Sequence, residues 1–355
     1  MDCPVSAVII CKNEERTIAR CIESVLSLQT DCRPREVLLV DSLSKDNTLA
    51  IAARYPISIL QLRPHWRHTP AAGRYIGFHE THGEYVLFLD GDSEVCEKFP
   101  RKALDQLCQD STVAGVVGRR IDIYYGHNGK EIGRNENAFG LPEHVTKVSR
   151  IVSCAILRRT ALENVGGYNP YLYSEEELEL SDRLTEAGYS IVGIPIDMAM
   201  HHTVRHYTLS GFLRRTKNRF HLGPGQVVRL RLGKRMSPMI RAHMLGGVLP
   251  VMFLAASVFI AALSLAFKSV LPVGGWIIVC FFAFLRMATR SKSVVFPLRY
   301  SFIQLIYAAG FIRGLLMKPK KLESYPTDPV RLKSLFPSEG LGIAPGRHTD
   351  REESV

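Results

Sequence analysis

The sequence predicts an α/β fold with a parallel sheet, followed by transmembrane or amphipathic helices at the C-terminal end. Three observations support this prediction. Short apolar runs alternate with helical patterns through the first hundred residues, two of these runs end in aspartate, and an uncharged apolar stretch at 244–267 follows a strongly basic segment. Alternating strands and helices typically form βαβ units, in which helices cover a buried parallel sheet.

The elements of the α/β part follow one another along the chain. Short apolar, β-branched runs predict strands, and apolar positions recurring with a helical period predict helices. Ligands of such sheets bind at the carboxyl ends of the strands. The predicted strands are 5–11, 36–40, 57–62, 85–89 and 191–194, and the predicted helices are 14–28, 46–55 and 71–81.

The composition is that of a globular protein with an apolar addition. The 355 residues are 46% hydrophobic and 22% charged, which argues against intrinsic disorder. The eight cysteines include no C-x-x-C pair, so we expect neither a zinc ribbon nor a redox dithiol, and a reducing compartment is the simplest interpretation. The net charge of +11 suggests a polyanionic partner, either nucleic acid or an anionic membrane surface.

Three apolar stretches follow the basic segment. Residues 244–267 are long enough to cross a bilayer, and we expect a transmembrane helix there. Residues 271–285 are shorter, so a short span and a re-entrant piece are both open. Residues 294–317 contain Arg299 and Arg313, which favour a helix lying in the membrane plane over a third span.

The charge pattern orients these segments. Lys and Arg flank the apolar stretches, and the positive-inside rule puts the N-terminal domain, the 286–292 loop and the tail in the cytoplasm. We therefore predict a protein of the cytoplasmic membrane. Its predicted parts are an α/β domain at 1–202, a basic membrane-proximal segment at 203–243, membrane helices at 244–317 and a polar tail at 318–355.

Carboxylates follow two of the predicted strands. Asp41 and Asp90 each close a strand, and Asp92 follows after Gly91. Carboxylate oxygens suit a hard divalent cation, which neutralises a departing diphosphate, and the glycine permits a tight turn. A plain turn is the structural alternative, because D-x-D occurs often by chance.

Three ordered segments resemble the nucleotide-sugar-binding part of family 2 glycosyltransferases, which have the GT-A fold. VSAVIICKNEERTIARCIESVLSLQ resembles the opening strand and helix, EVLLVDSLSKDNTLAIA the second strand with its acidic turn, and residues 71–92 the approach to the D-x-D pair. The similarity continues through GGYNPYLYSEEELELSDRLTEAGY and covers 4–202. It implies a Rossmann-like domain that binds a nucleotide-diphospho-sugar together with Mg²⁺ or Mn²⁺.

The resemblance also implies a donor site, position by position. Asp41 would contact the base or ribose, and Asp90 and Asp92 would hold the ribose and, with the diphosphate, the metal. Arg74 would lie near the donor. Because Ser42 and Tyr75 differ from the commonest family pattern, the nucleotide stays open. In related enzymes a histidine near this point approaches the metal or diphosphate, so His202 is a further candidate metal ligand.

The same resemblance implies a catalytic base within residues 174–184, SEEELELSDRL. Inverting transfer to a hydroxyl needs a general base, and a carboxylate is adequate when a metal activates the leaving group. Alignment on the Arg-Leu pair at 183–184 makes Glu177 the base with Glu176 beside it, and the register within 175–179 is open.

Structural roles are the alternatives for this segment. Glu179 and Arg183 are spaced for a surface i,i+4 salt bridge. Ser174 is placed to cap the helix, with Glu177 completing a capping box. If the acceptor is itself a phosphate, it needs little base catalysis, and the carboxylates would then mainly position it.

The basic segment contains ten Lys or Arg residues and no acid between 203 and 243. A headgroup-binding amphipathic helix, a clamp over the leaving diphosphate and a solvated basic face are three interpretations. Lipid contact is favoured because an apolar stretch follows directly. The candidate phosphate contacts are Arg214, Arg215 and Arg219.

Together these patterns predict a membrane-anchored inverting glycosyltransferase. Its acceptor would be a polyprenyl phosphate, a lipid-linked glycan or a glycolipid. A dinucleotide-dependent dehydrogenase is disfavoured because residues 11–15, CKNEE, carry no G-x-G-x-x-G. The alternatives are a nucleotidyltransferase and an inactive basic membrane scaffold. No nucleic-acid partner is expected, since no such motif is present and the charge adjoins the membrane segment.

Overall fold

In the computed structural model, strand β1 (Val5–Cys11) lies inside the sheet with all seven residues buried. Strands β2 (Glu36–Asp41) and β4 (Tyr85–Asp90) pair with it in parallel on either side, and β3 (Ser58–Gln61) pairs in parallel with β2. Continuous apolar runs suit strands covered on both faces. The structure describes residues 5–29, 32–126, 128–141, 143–204, 215–234, 236–291, 293 and 295–335.

Three helices connect these strands and complete the predicted βαβαβαβ run. They are α1 (Ile18–Leu26), α2 (Thr48–Ala52) and α3 (Pro70–His79), each shorter than its predicted range. Helix α3 begins at a proline, and the Thr69 side chain accepts a hydrogen bond from the Ala72 amide at 3.0 Å. The predicted α/β fold class is confirmed.

The second half of the domain extends the sheet with antiparallel pairs. Within the described residues, the strands pair in the order β11 (Val330–Lys333), β3, β2, β1, β4, β9 (Ala155–Arg158), β6 (Val113–Tyr125), β10 (Ser190–Val204) and β5 (Ser93–Val95), with β7 (Glu131–Asn135) on β6 and β8 (Thr146–Val148) on β10. The predicted strand at 191–194 is one end of the fifteen-residue strand β10. The helices of this half are α4 (Lys98–Gln109), α5 (Arg159–Val165) and α6 (Glu176–Glu186).

Four helices follow: α7 (Gly223–Arg231), α8 (Pro238–Ala266), α9 (Leu271–Ser291) and α10 (Val295–Leu316). Within the described residues, α8 and α9 are long and apolar enough to cross a membrane, and their most apolar windows are almost entirely unburied. Helix α9 continues beyond the predicted end at 285, so its 21 residues reach the length that a span needs.

Helix α10 packs backbone to backbone on α7. A Cβ on Gly225 would lie 2.0 Å from the Phe311 carbonyl oxygen, and one on Gly314 would lie 2.1 Å from that of Leu222. Phe311 is buried in a cluster with Leu178 of α6 and apolar residues of α7. Helix α10, within the predicted stretch 294–317, is therefore docked against the α/β domain.

After α10 the chain returns to the sheet. Strand β11 (Val330–Lys333) pairs antiparallel with β3, within the range predicted as a polar tail. Tyr325 is buried against Trp66, Tyr75 and Tyr171, with ring centroids 5.6 to 5.8 Å apart. This aromatic packing is a long-range contact that the polar composition of the segment does not indicate. Residues 336–355 of the predicted tail lie outside the described residues.

Candidate active site

The two strand-closing aspartates lie on either side of β1. Asp41 is paired in register with Cys11, and Asp90 is paired with Ile10. Gly91 follows directly, and a Cβ at this position would approach the Cys11 Cβ to 2.9 Å. The parallel register therefore brings both carboxylates to one edge, as predicted, and glycine is required where the chain turns away from β1.

Asp41 is fully buried beneath this edge. Its carboxylate accepts hydrogen bonds from the Ser44 amide at 3.0 Å and from the Gln61 side-chain amide at 2.9 Å, and the Cys11 thiol lies 3.6 Å away. Donors from β1, from β3 and from the loop after β2 thus fix one acid. Such a buried acceptor rigidifies the loop after β2 at the base of the site.

Arg74 joins three carboxylates, and we call these four residues the Arg74 centre. Its guanidinium lies 2.7 Å from Asp90, 2.8 Å from Glu176 and 3.4 Å from Glu177, measured from nitrogen to oxygen. Arg74 is 1% exposed, and its guanidinium lies 5.4 Å from the centroid of the Tyr168 ring. One side chain of α3 thereby holds the end of β4 to the first turn of α6.

The Arg74 centre has more acids than cations. Burial, followed by the proximity of Glu177, raises the pKa of Glu176 to about 8. Burial also raises the pKa of Asp90 to about 6, although Arg74 opposes this shift. A single guanidinium does not fully offset the burial of Glu176 and Asp90, so these two acids retain their protons to higher pH.

Asp92 is held by His201. The imidazole Nε2 lies 3.3 Å from Asp92, and Nδ1 lies 3.0 Å from Asp122, which Arg120 contacts at 2.8 Å. Burial opposes protonation, but the hydrogen bonds to Asp122 and Asp92 raise the pKa of His201 to about 9. Burial likewise opposes ionisation of Asp92, and the His201 hydrogen bond overcomes it and lowers the pKa of Asp92. Asp92 is thus kept ionised at neutral pH.

His202 lies on the other face of β10. Its Nε2 is 2.5 Å from Glu94 and its Nδ1 is 2.9 Å from the Tyr125 hydroxyl. Neighbouring residues on a strand point to opposite faces, and here His201 contacts Asp92. The structure therefore brings His201, and not the predicted His202, to the D-x-D pair.

The start of α6 presents the two predicted catalytic carboxylates. Glu175 has a left-handed backbone conformation with φ of 64°, which turns the chain sharply into the helix. Glu176 and Glu177 then occupy the first turn, where the helix dipole favours negative charge. The alternative in which Ser174 caps this helix is wrong, because its hydroxyl donates to the Phe220 carbonyl at 2.8 Å.

Glu179 and Arg183 form the anticipated i,i+4 pair, with a distance of 2.7 Å. The pair is largely buried instead of lying on the surface, since Glu179 is only 3% exposed. Arg183 also donates to the carbonyls of Val165 and Gly167. These two residues connect α6 to the end of α5 and have a structural role.

The basic segment is only partly described. Arg214 lies outside the described residues. The Arg215 guanidinium lies over the Phe220 ring at 5.3 Å, and Arg219 donates to the Tyr173 hydroxyl at 3.1 Å. The contacts of these two arginines are with aromatic side chains, and they are not among the partners of the Arg74 centre.

Two further residues of this site are not predicted from the sequence. Tyr168 lies under Arg74, and Asp122 orients His201. Asp122 interrupts the apolar pattern of β6, and an acid inside a strand is a signal that would have identified it. Tyr168 follows two glycines, and nothing in its sequence context distinguishes it from a tyrosine that is simply buried in the core.

The carboxylates suit a metal that a substrate helps to bind. Among the described residues, no group of three or more His, Cys, Asp or Glu side chains could hold a metal ion by itself. Mg²⁺ is commonly bound by one or two carboxylates together with substrate phosphates and waters. Ionised Asp92, with Asp90 beside it, provides oxygen donors of this kind.

Residues 6–166 match the family described as Glycosyl transferase family 2. Glycosyltransferase AglE of Haloferax volcanii is 25% identical over 230 residues, covering 63% of this chain and 73% of its own. Succinoglycan biosynthesis protein ExoA of Rhizobium meliloti is 25% identical over 325 residues, covering 87% and 94%. Mannosyltransferase PcManGT from Pyrobaculum calidifontis, solved with GDP-Man and Mn²⁺, is 16% identical with a TM-score of 0.56, covering 88% and 87%. At that identity the structural likeness concerns the fold.

The sheet and these matches define a GT-A-type α/β fold. The chain carries a family 2 glycosyltransferase domain over residues 6–166, and the predicted resemblance is confirmed. The match favours glycosyl transfer over the nucleotidyltransferase alternative.

Proposed function

We propose that this protein is a membrane-associated, inverting glycosyltransferase that moves a sugar from a nucleotide-diphospho-sugar to a membrane-bound acceptor. The observation that carries the proposal is the Arg74 centre. It joins the D-x-D edge of the sheet to two glutamates at the start of α6. Asp90 and Glu177 both contact Nη2 of this guanidinium and Glu176 contacts Nη1, so the donor-binding and base carboxylates are held around one cation.

On the donor side, the chain's own residues bind and orient the nucleotide sugar. Asp41 supports the loop that faces the base and ribose, and Asp90, oriented by Arg74, faces the ribose. Asp92, kept ionised by the hydrogen bond from His201, would hold Mg²⁺ or Mn²⁺, whereas His202 is engaged with Glu94. The cation, when bound, neutralises the charge that develops on the departing nucleoside diphosphate.

On the acceptor side, Glu177 is the better placed base. Its side chain is 22% exposed, whereas that of Glu176 is 7% exposed and lies closer to Arg74. As the acceptor oxygen attacks the anomeric carbon, its proton passes to Glu177 and the bond to the diphosphate oxygen breaks. Attack on the face opposite the diphosphate inverts the anomeric centre. Glu176 is a positioning residue that fixes Arg74.

The sheet constrains the membrane topology. Strand β11, after the apolar helices, pairs with β3, which precedes them. Both ends of the helical region therefore lie on one side of any membrane, which requires an even number of crossings. Since α10 is docked on α7, we propose that α8 and α9 cross and that α10 stays on the side of the domain. The flanking Lys and Arg residues favour the cytoplasmic side of the cytoplasmic membrane.

This topology supports a membrane-bound acceptor. Candidate acceptors are a polyprenyl phosphate, a lipid-linked glycan and a glycolipid. The name of ExoA refers to succinoglycan biosynthesis, which supports a role in polysaccharide assembly. The mannosyltransferase of similar fold was solved with Mn²⁺, which supports a divalent cation. Anionic phospholipids would contact the basic segment at 203–243.

A thermal-shift panel tests the proposed donor site. The detergent-solubilised full chain is heated with UDP, GDP, CMP or dTDP, each with and without Mn²⁺. One nucleotide is expected to stabilise the protein only with metal, by about 2.7 kcal/mol when its concentration is about 100 times Kd. If folded protein responds to none of them, the inactive-scaffold alternative is favoured instead.

A further inference from the structure

Three cations surround two tyrosine rings between the start of α6 and the end of α10. We call Arg67, Tyr171, Tyr173, Arg219 and Lys320 the cation–tyrosine cluster. The Arg67 guanidinium lies 5.5 Å from the Tyr171 ring centroid and 4.7 Å from that of Tyr173. Lys320 lies over Tyr171 at 5.2 Å, and Arg219 lies over Tyr173 at 5.8 Å. Each tyrosine ring is therefore shared by two cations.

The three cations have no acidic partner of their own. In the part of the chain that the structure describes, Arg67, Arg219 and Lys320 form no ion pair with a carboxylate, whereas other arginines nearby do. Cation–π contacts fix their positions but leave their charges uncompensated. Like charges grouped in this way favour an anion. The paired arginines are Arg63 with Asp328, Arg74 with Asp90 and Arg231 with Asp182.

The cluster is preorganised for an anion. The Arg67 guanidinium also donates to the Tyr171 carbonyl, and Arg219 donates to the Tyr173 hydroxyl at 3.1 Å. Tyr171 bonds to Ser324 at 2.9 Å, which ties the cluster to the segment after α10. Guanidinium groups bind phosphate oxygens in a bidentate manner, and an ammonium adds a point charge.

The position of the cluster indicates which anion it meets. Tyr173 lies in the turn that leads into α6, four residues before Glu177. Lys320 lies four residues after Leu316, the exposed apolar end of α10. Along the chain, the cluster thus adjoins both the segment that leads to the proposed base and the exposed apolar end of α10. An anion held here would have an acyl or prenyl chain on one side and the reacting hydroxyl on the other.

We propose that the cation–tyrosine cluster binds the phosphate or diphosphate of a lipid-linked acceptor and so presents the acceptor to Glu177. This inference rests on the proposed function and narrows its acceptor class to lipid-linked glycans, in which a phosphate or diphosphate joins the lipid to the sugar that carries the reacting hydroxyl. It also assigns Arg219, for which the sequence suggests a contact with the donor diphosphate, to the acceptor. A glycolipid without phosphate would not use the cluster.

Binding of farnesyl diphosphate to the detergent-solubilised full chain tests this proposal, with farnesol and inorganic pyrophosphate as the two half-ligands. The variants are Arg219→Gln, Lys320→Gln and their combination. Each lost cation is expected to weaken farnesyl diphosphate binding by on the order of tenfold. The matched control, Lys318→Gln, removes an exposed cation of the same segment and should stay within about twofold.

Two results would overturn the proposal. One is unchanged farnesyl diphosphate binding in the double variant. The other is pyrophosphate binding as tightly as farnesyl diphosphate with the same dependence on the cations, which would indicate a site for free diphosphate.

The nucleotide panel separates this inference from the proposed function. The double variant should retain its metal-dependent nucleotide shift, and a wild-type protein that binds farnesyl diphosphate but no nucleotide would contradict only the donor site.

Discussion

Arg74 donates a hydrogen bond to Glu176 at 2.8 Å across 102 residues of sequence. The same guanidinium donates to Asp90 at 2.7 Å. The edge of the sheet and the first turn of α6 are therefore held in one arrangement by a single buried cation. The position of Asp90 relative to Glu176 therefore depends on Arg74.

Loss of Arg74 should destabilise the protein strongly. Arg74→Ala leaves buried carboxylates without their cation, and the expected cost is about 3–5 kcal/mol of the free energy of unfolding. A fall in melting temperature measured on the full chain in detergent checks this. Arg101→Ala breaks the exposed pair with Asp105 and should cost no more than about 0.5 kcal/mol. Similar melting temperatures for the two variants would contradict a central role for Arg74.

Asp92→Asn should abolish the metal dependence of nucleotide binding. The amide retains a hydrogen-bond acceptor for His201 but carries no charge for a divalent cation, so the fold should persist while the Mn²⁺-dependent shift is lost. Thermal shift with and without Mn²⁺ measures both. Asp105→Asn, on the exposed face of α4, is the control and should behave as wild type. An intact Mn²⁺ effect in Asp92→Asn would rule out the metal role.

The two glutamates should differ in kinetics. Glu177→Gln is expected to lower kcat by about 10²–10⁴-fold with little change in the donor KM, because it removes a proton acceptor and leaves the donor contacts intact. Glu176→Gln should change KM as well, since Glu176 orients Arg74. Steady-state kinetics of both variants checks this. A selective loss of kcat in Glu176→Gln with normal turnover in Glu177→Gln would make Glu176 the base.

Glu176 should make stability depend on pH. Its pKa rises from an ordinary 4.5 to about 8 on folding, so the folded state keeps a proton that the unfolded state releases. This contribution to stability is present below pH 4.5 and is lost as pH rises through about 8. Melting temperatures of wild type should fall across this window, and Glu176→Gln should flatten that fall. Parallel profiles for the two proteins would count against a proton held at Glu176.

The sequence predicts the acidic edge of the sheet, but it does not predict on which face of β10 each histidine lies. Strand ends such as Asp41 and Asp90 follow from local apolar runs and parallel register. The choice between His201 and His202 does not, because β10 has irregularities between Gly193 and Ala199 that break the simple alternation of faces. The face on which a residue of β10 lies therefore cannot be predicted by counting alternate residues from the start of the strand.

Long-range contacts are the other part that local patterns miss. Strand β11 pairs with a strand some 270 residues earlier in the chain, and its polar composition suggests a free tail. The cation–tyrosine cluster likewise joins four distant segments, around residues 67, 172, 219 and 320. Each of these segments looks like ordinary polar surface in the sequence. Only the folded chain brings their charges together.

The central claim is metal-dependent transfer of a sugar to a membrane acceptor, and one transfer assay tests it directly. Membranes of the organism that makes the protein are incubated with purified enzyme, Mn²⁺ and the radiolabelled nucleotide sugar whose nucleotide gives the thermal shift. Wild type should move label into the lipid extract, and both Asp92→Asn and Glu177→Gln should leave it in the aqueous phase. A wild-type enzyme that binds the nucleotide yet leaves all label in the aqueous phase would contradict the account.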